Sequence, residues 1–408
     1  MRILFLSQYF QPEPGFFVGL PFAKALARQG HDVEVLTGFP HYPGGKVYPG
    51  YRIKPLQRED LEGVPVRRVA LYPSHSTSSF GRILCYGTFG LSASMIGPWI
   101  VKRADVAHVS QGPITIGWPA WILKLVRRIP FVLHIQDLWP DSPASTGMFN
   151  SSFGLKMITA ACDFVYKRAG KIVVIAPGVK RRLVERGVPD QKIDVIYNWC
   201  DENAIHPMPP SEDEKKRLGF GGYFNVVYAG NIGRAQNLET VLEAAEVIKE
   251  KYPHVRFNFL GAGLDEDRLK QLSERRRLFN VRFLGRRPPS EVAPVLSAAD
   301  ALLVHLKKDP LFEITIPSKT QAYLAMGKPV LMGVSGDAAE LVTRSGAGLC
   351  FPPGDSVRLA AAVGSLLSLS PNQLAQMGQA GRSFYESKLS FQAALARFES
   401  VFHEAMTG

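Results

Sequence analysis

The sequence predicts an α/β protein with two doubly wound, Rossmann-like domains. Three observations carry that prediction. The chain has 408 residues, more than one ordinary hydrophobic core holds. Short, continuously apolar runs alternate with helical patterns, as they do in βαβ units, and the second half of the chain repeats the plan of the first. Apolar residues make up 46% of the chain and charged residues 21%, a globular balance that excludes a disordered or collagen-like protein.

The first half opens with a βαβ unit. Its first strand is predicted over residues 3–6. A helical pattern then runs from Leu20 to Gly30, which is placed to adopt the left-handed conformation that ends a helix. Further short apolar runs predict buried parallel strands at 33–36, 106–109, 131–135 and 172–175.

The second half is predicted to contain a helix at 238–251 and strands at 225–229, 256–260, 281–284, 301–305 and 329–332. Residues 203–222 are rich in proline, glycine and charge, which is typical of a linker. We therefore expect an N-terminal domain over 1–200 and a C-terminal domain over 201–389, facing each other across a cleft. The helical residues from about 390 to 408 are expected to pack back on the N-terminal domain.

The positive charge is concentrated in the first half of the chain. Residues 1–200 contain 24 Lys and Arg against 13 Asp and Glu, whereas residues 201–408 contain 24 against 23. A one-sided positive field attracts nucleic acid or an anionic membrane surface. Because no nucleic-acid-binding motif accompanies the charge, we expect no nucleic-acid partner and favour the inner membrane surface.

One segment bears on membrane contact. Residues 83–101 contain no charged side chain, but their glycine, serine and threonine content makes them only weakly apolar. Three interpretations stay open here: a buried helix of the first domain, a helix lying in the membrane interface, and a membrane span.

The N-terminus and the cysteines indicate the compartment. The opening run MRILFLSQYF is too short for a signal peptide and is predicted to be a strand. The four cysteines are scattered, without CxxC spacing, which favours a reducing compartment over disulfides or structural zinc. We expect a cytoplasmic protein attached peripherally to the inner face of the cell membrane.

The glycine-containing loops exclude two common ligand classes. Neither PEPGFFVG at 12–19 nor GNIGRAQN at 230–237 has the GxGxxG pattern of a dinucleotide site, and the chain has no GxxxxGK[ST] phosphate loop. This argues against a dehydrogenase or an ATPase. What remains is a pair of helix N-termini that follow glycine-rich loops, an arrangement that favours binding of an anion.

The motif-rich part of the chain is HLKKDPLFEITIPSKTQAYLAMGKPVLMG at 305–333, followed by AGLCFPPGD at 347–355. With DLWPDS at 137–142, GNIGRAQNLETVLEAA at 230–245 and FLGAGLDEDRL at 259–269, these segments resemble glycosyltransferase family 4, the retaining nucleotide-sugar transferases of GT-B fold. Within that family, the chain looks most similar to bacterial O-antigen, capsule and colanic-acid enzymes of the L-fucosamine transferase type.

The resemblance implies a donor held mainly by the second domain and an acceptor docked on the first. Donor-binding positions carried over from the family are Gly15, Gly230, Gly233, Arg234, Gly261, Gly263, Arg286, Ser318 and Lys319. Ser318 resembles a helix N-cap, so the helix dipole and the Lys319 ammonium would point at the same phosphate.

Two departures from the family pattern concern this site. Asn231 and Gln236 stand where many members have Arg and Lys, and the Glu-x7-Glu pair is replaced by Ile314 and Ala322. Glu313 is one residue away from the first of these positions and is our candidate in its place.

Retaining transfer needs stabilisation of the leaving diphosphate more than a strong base. Asp137, just past a predicted strand, is placed to orient the acceptor hydroxyl, although a helix cap is the alternative. His134 is a second catalytic candidate, with a core role as the alternative. The acidic run at 265–267 opens a helix, where acidic residues need no metal, so we expect no metal and no cofactor besides the nucleotide-sugar donor.

These observations lead to one expected function and two alternatives. We expect a retaining transferase that moves a sugar from a UDP-sugar to a polyprenyl-diphosphate-linked saccharide in surface polysaccharide synthesis. N-acetyl-L-fucosamine or another N-acetylhexosamine is the expected sugar. The alternatives are a GT-B nucleotide-sugar epimerase and a non-catalytic scaffold at the membrane surface.

Overall fold

The computed structural model describes residues 1–14, 18–74, 79–141, 152–209 and 212–407. It divides into two compact units. Unit 1 comprises Met1–Ile196 and Leu395–Gly408, and unit 2 comprises Tyr197–Ala394. Each unit is an α/β domain built on a mainly parallel sheet, which confirms the two predicted Rossmann-like domains.

The described part of unit 1 contains the strands β1 (Arg2–Ser7), β2 (Asp32–Gly38), β3 (Leu56–Leu61), β4 (Val64–Val69), β5 (Val106–Gln111), β6 (Phe131–Ile135), β7 (Lys171–Val174) and β8 (Ile193–Val195). They form one sheet in the order β3-β4-β2-β1-β5-β6-β7-β8. The β3–β4 pair is antiparallel and the other pairs are parallel. The helices described between these strands are α1 (Leu20–Arg28), α2 (Ser79–Ile100), α3 (Gly117–Arg127), α4 (Ser152–Arg168) and α5 (Pro177–Glu185).

Unit 2 contains β9 (Phe224–Ala229), β10 (Val255–Leu260), β11 (Val281–Gly285), β12 (Ala301–His305), β13 (Val330–Gly333) and β14 (Gly348–Cys350), all parallel, in the order β11-β10-β9-β12-β13-β14. Its described helices begin with α6 (Glu212–Leu218), α7 (Glu239–Lys251), α8 (Glu266–Arg275), α9 (Pro289–Ala298) and α10 (Pro310–Glu313). They continue with α11 (Ser318–Ala325), α12 (Asp337–Ser345), α13 (Ser356–Leu367) and α14 (Pro371–Lys388). The last helix, α15 (Phe391–Thr407), starts in unit 2 and belongs to unit 1 from Leu395 onward.

The central strands follow from their composition. Every residue of β6 and of β12 is buried, as expected for parallel strands covered by helices on both faces. The left-handed Gly30 (φ +89°) follows α1 as predicted. The predicted strands at 172–175 and 329–332 each shift by one residue in the structure, to β7 and β13.

The prediction missed β3, β4, β8 and β14. The β3–β4 hairpin has the sequence LQREDL-EG-VPVRRV, in which charged residues interrupt the apolar ones. This pattern is typical of the edge of a sheet, where one face is exposed, and our search for continuous apolar runs does not detect it. Strands β8 and β14 are three residues long each, too short to show a period.

Helix α2 contains the uncharged segment. By length and composition, its residues Phe80–Ile100 could cross a membrane, and 33% of their most apolar window is buried. Phe89 and Ala93 are buried in unit 1, whereas Leu91, Met95 and Trp99 follow one another at helical spacing and are exposed. Helix α2 is therefore only partly buried, so the interpretation as a fully buried helix is wrong. The interpretations as an interfacial helix and as a membrane span stay predictions.

The C-terminal helix α15 contributes its residues from Leu395 onward to unit 1. Phe398 is fully buried there, with its ring centre 5.1 Å from that of Phe22, 5.5 Å from that of His108 and 5.0 Å from that of His134. The helix thereby completes the core of the first unit.

Candidate functional site

The strand order of unit 2 determines where its ligand site lies. Chain order runs outward from β9 in one direction through β10 and β11, and in the other direction from β12 through β13 and β14. Sheets of this topology bind ligands at the carboxyl ends of the strands, beside the point where the order reverses. In unit 2 that point lies between β9 and β12.

Two glycine loops pack backbone against backbone at this point. Gly230 (φ +137°) follows β9 and Gly261 (φ +140°) follows β10. A Cβ atom on Gly261 would lie 1.9 Å from the carbonyl oxygen of Gly230, and one on Gly263 would lie 2.3 Å from the carbonyl oxygen of Ile232. Only glycine meets both the backbone angle and the close approach at position 261.

These loops form one wall of a pocket of about 480 Å³. The other walls come from the segment after β11 and from helices α9 and α11. The residues that line the pocket are Ile205, Ala229, Gly230, Asn231, Leu260, Gly261, Ala262, Arg286, Arg287, Val292, Leu296, Lys319, Ala322 and Tyr323. An apolar wall with a few convergent polar groups is typical of a small-molecule site.

Lys319 is the central cation of this pocket. Its ammonium nitrogen is buried, lies 3.6 Å from the centre of the Tyr228 ring, and has no hydrogen-bond partner in the described part of the chain. Burial lowers the pKa of Lys319 to about 7. A Cβ atom on Gly230 would lie 3.2 Å from this nitrogen, so the ammonium lies against the glycine loop.

Two further cations line the pocket, Arg286 and Arg287. Arg286 is exposed, while Arg287 donates to the Glu291 carboxylate over 2.9 Å. No carboxylate is found among the residues that line the described pocket. The site therefore has a positive field that favours a polyanion such as a diphosphate. Arg234 is exposed on the neighbouring loop and is not one of the lining residues.

Neutral side chains form hydrogen bonds within the loop that follows β9. The Gln236 side-chain oxygen accepts from the Gly233 N–H over 3.1 Å and from the Asn231 amide over 3.3 Å. The Tyr228 hydroxyl donates to the Asn231 carbonyl over 2.6 Å. Asn231 and Gln236, which depart from the family pattern, thus form hydrogen bonds within the loop.

Sequence reasoning missed three residues that shape the site: Tyr228, described above, Tyr323 and His305. The Tyr323 hydroxyl accepts from the Ala229 N–H over 2.7 Å, which joins α11 to the end of β9. His305 lies between two loops, with its Nδ1 2.8 Å from the Gln236 carbonyl and its Nε2 accepting from the Gly354 N–H over 3.2 Å. Burial lowers the pKa of His305, and the Lys319 charge adds to this effect. One sequence feature could have identified His305 and Tyr228: each is a polar side chain within or at the end of an apolar strand.

Two predicted residues behave differently from expectation. Helix α11 begins at Ser318 itself, with Pro317 in the capping position, and the exposed Ser318 side chain makes no capping bond. The prediction of a Ser318 N-cap is therefore wrong, because the preceding proline takes that position. Glu313 ends α10 and is not among the residues that line the pocket, whereas Ala322 is.

In unit 1, Asp137 follows β6, and desolvation by the surrounding protein raises the pKa of its carboxyl. His134 is buried, with its Nδ1 3.3 Å from His108 Nε2 and its Nε2 2.9 Å from the Gln136 amide nitrogen. Burial lowers the pKa of His134 to about 3, so this imidazole is neutral at physiological pH. Gly15 lies outside the described residues.

The acidic run at the start of α8 is engaged in ion pairs. Asp265 accepts from Arg268 over 2.7 Å, and Glu266 pairs with Lys270 over 2.7 Å. A search of the described residues finds no group of three His, Cys, Asp or Glu side chains placed to hold a metal ion.

The comparisons with known families agree with this division into two domains. Residues 20–199 match the family described as glycosyl transferase 4-like domain, and residues 210–384 match the glycosyl transferases group 1 family. Together the two matched segments include every lining residue of the pocket except Ile205.

Curated relatives are glycosyltransferases by name. WbjE of Pseudomonas aeruginosa is 25% identical over 73% of this chain and 74% of its own length. WcaI of Escherichia coli (strain K12), named as a glycosyl transferase of colanic acid biosynthesis, is 27% identical over 80% of this chain and 82% of its own length.

Solved structures share the fold at low identity. Sucrose-phosphate synthase from Thermosynechococcus elongatus has a TM-score of 0.68 at 17% identity, and the alignment covers 100% of this chain and 99% of that one. Anabaena HepE, solved in complex with UDP and glucose, has a TM-score of 0.66 at 17% identity, with 99% of each chain covered.

Proposed function

We propose that this protein, a glycosyltransferase by the 4-like and group 1 domains it carries, uses a UDP-sugar as donor and transfers the sugar with retention of configuration. The proposed acceptor is a saccharide linked to polyprenyl diphosphate, and the proposed process is bacterial surface polysaccharide synthesis. The observation that carries the proposal is the buried ammonium of Lys319 beside the two glycine loops, for which the described part of the chain offers no hydrogen-bond partner.

The pocket chemistry supports a nucleoside diphosphate. An unpaired buried ammonium is costly, and a diphosphate would supply the missing acceptor and charge. Apolar lining residues, such as Leu260, Val292 and Leu296, offer a surface for the nucleoside. Anabaena HepE, which shares the fold, has been solved with UDP and with UDP-glucose.

The proposed chemistry relies on electrostatic stabilisation of the leaving group. As the glycosidic bond breaks, negative charge grows on the departing diphosphate, and Lys319 with Arg286 stabilises it. The departing phosphate takes the acceptor proton on the same face, so the mechanism requires no strong protein base. Asp137 is the proposed residue that orients the acceptor hydroxyl, and the mechanism is proposed to need no metal.

Membrane attachment is part of the proposal. Residues 1–200 contain 24 cationic against 13 acidic side chains, and Leu91, Met95 and Trp99 of α2 are exposed. Basic surfaces with exposed apolar side chains bind anionic bilayers at their interface. We propose that the protein works at the cytoplasmic face of the cell membrane, where a lipid-linked acceptor is presented.

The proposed sugar is N-acetyl-L-fucosamine or another N-acetylhexosamine. Its support is the resemblance of the motifs at 305–333 and 347–355 to that type of enzyme. The name of WcaI places that protein in colanic acid biosynthesis, which supports the broader assignment to surface polysaccharide synthesis.

The test is a thermal-shift panel with UDP, GDP, ADP and CMP on the wild-type protein, Lys319→Met, and a control, Lys216→Met, at an exposed site on α6. We expect UDP to stabilise the wild type and the control, by about 2.7 kcal/mol at a hundredfold excess over Kd, but not Lys319→Met. Absence of stabilisation by any nucleotide would overturn the donor assignment and favour a scaffold. Conversion of a UDP-sugar without any acceptor would instead indicate an epimerase.

A further inference from the structure

A second basic depression lies in unit 1, whereas the proposed nucleotide pocket belongs to unit 2. It has a volume of about 660 Å³ and is lined by residues that directly precede three parallel strands. Pro130 precedes β6, Gly170 precedes β7 and Lys192 precedes β8. The depression therefore lies at the amino-terminal edge of the sheet, opposite the edge at which Asp137 follows β6.

Four cations line this depression: Lys124, Arg128, Lys171 and Lys192. Acidic side chains compensate Lys171, which pairs with Asp194 over 3.1 Å and Glu404 over 2.5 Å. Across the described ranges of the chain, no carboxylate pairs with Lys124, Arg128 or Lys192. Three positive charges thus converge, and none of the described carboxylates pairs with them.

Capping of α4 accounts for only part of this cluster. Lys124 donates to the Arg168 carbonyl over 2.8 Å, and Lys192 donates to the Lys167 carbonyl over 3.0 Å. Each ammonium has three donors, so two remain on each lysine. The C-terminal end of a helix has a negative charge of about half an elementary unit. This is too little to balance the three positive charges of Lys124, Arg128 and Lys192. Burial, and then the charge of Lys124, lower the pKa of Lys192, as expected where cations are left uncompensated.

Apolar side chains lie next to these cations. Leu125 and Val126 are exposed on α3 between Lys124 and Arg127. Arg127 donates to the Pro98 carbonyl over 2.5 Å, which brings this end of α3 beside the exposed Trp99 of α2. Cations beside exposed apolar residues are an arrangement found at bilayer interfaces, where lipid phosphates and acyl chains are both within reach.

We infer that this depression is an anion site for a phosphate group, bound by Lys124, Arg128 and Lys192. The phosphate could come from an anionic phospholipid headgroup or from a phosphate-bearing solute, and the chemistry of recognition is the same for both. The lipid source rests on the membrane attachment proposed above. The site itself does not depend on it, because the cluster of charges exists without the bilayer.

The test compares two charge-matched double variants. Lys192→Gln with Arg128→Gln removes two cations from the depression. Lys54→Gln with Arg58→Gln removes two exposed cations, one just before β3 and one within it, on the opposite edge of the same sheet. Binding is measured by sedimentation with vesicles of phosphatidylcholine with and without phosphatidylglycerol, and separately by calorimetry with inorganic phosphate. Stabilisation by UDP reports whether each variant keeps its fold and nucleotide pocket.

For a lipid headgroup, we expect the first pair to weaken binding to the phosphatidylglycerol vesicles about 25-fold, since each cation near an anionic surface contributes about fivefold. The control pair should weaken binding much less, and UDP stabilisation should persist in both. For a solute, calorimetric phosphate binding should be lost in the first pair while vesicle binding is unchanged. Lys192→Arg with Arg128→Lys retains the charges and should bind like the wild type.

Equal effects of the two double variants in the vesicle assay, together with no phosphate binding by the wild type, would overturn the inference. The lysines of the depression would then only cap the carbonyl groups at the end of α4. If UDP does not stabilise the wild-type protein, the proposed function is contradicted, but the inference about this anion site is not.

Discussion

The ammonium nitrogen of Lys319 lies 3.6 Å from the centre of the Tyr228 ring, and no acceptor for it exists among the residues that the structure describes. A cation over a ring face gains some electrostatic stabilisation, but much less than it loses when it leaves water. The protein thus keeps a destabilising group beside two glycine loops. The physical reason we propose is an anion that binds there.

Replacing Lys319 by Met should separate binding from stability. Methionine has a similar volume and no charge, so we expect the free energy of unfolding without ligand to stay the same or to increase by about 1 kcal/mol or more. UDP affinity should fall at least about tenfold, because the main charge-assisted contact is lost. Urea unfolding measures the first quantity and calorimetry the second. A variant that is destabilised by several kcal/mol would show that the ammonium has a structural role.

Raising the pH should stabilise the ligand-free wild-type protein and weaken its binding of UDP. The folded-state pKa of Lys319, about 7, lies below that of an unfolded lysine, 10.5. The unfolded state therefore binds more protons between these values, and the ligand-free protein should gain stability as pH rises through this window, by up to about 1.4 kcal/mol per unit. UDP affinity should fall over the same range, because the diphosphate requires the protonated ammonium. Both slopes should flatten in Lys319→Met, and a pH-independent UDP affinity would contradict the assignment.

Gly261→Ala should disrupt the paired loops. The added Cβ would lie 1.9 Å from the Gly230 carbonyl oxygen at a backbone angle of φ +140°. We expect a loss of about 3 kcal/mol or more in the free energy of unfolding, together with loss of UDP binding. Gly221→Ala is the matched control, since a Cβ atom there meets nothing within 4 Å and its φ is not positive. Similar losses in both variants would refute the requirement for glycine at 261.

The buried histidines of unit 1 should make that unit sensitive to acid. His108 and His134 are held neutral: burial lowers both pKa values, and the repulsion that two protonated imidazoles would have further lowers that of His108. Below pH 6.5 the unfolded chain takes up protons that the folded unit does not, so stability is lost as the pH falls toward the folded pKa values. His134→Gln should reduce this slope by up to about 1.4 kcal/mol per pH unit in denaturant titrations. His403→Gln, at an exposed position on α15, should leave the slope unchanged.

The prediction from sequence was most accurate where local pattern and burial agree. Strands β6, β9 and β12 are apolar throughout or nearly so, and each was predicted at or within one residue of its bounds. The β3–β4 hairpin was missed because its alternating charges indicate an edge, which a search for continuous apolar runs does not detect.

The site was predicted only where it lies in contiguous motifs. Gly230, Gly261, Arg286 and Lys319 were identified and lie around one pocket. Tyr323 and His305 were not identified, since each acts on a residue far away in sequence, Ala229 and Gln236 respectively. Such pairs form because the sheet places β12 beside β9, and local sequence contains no information about that order.

The sequence alone determined the two α/β domains, the excess of positive charge in the first half and the glycine loops, because composition and local periodicity suffice for these. Tertiary structure decided that the Lys319 ammonium is desolvated and has no hydrogen-bond partner among the described residues, and that Lys124, Arg128 and Lys192 converge at one edge of a sheet. Desolvation and charge convergence depend on what surrounds a group in space, and residues distant in the chain supply those surroundings.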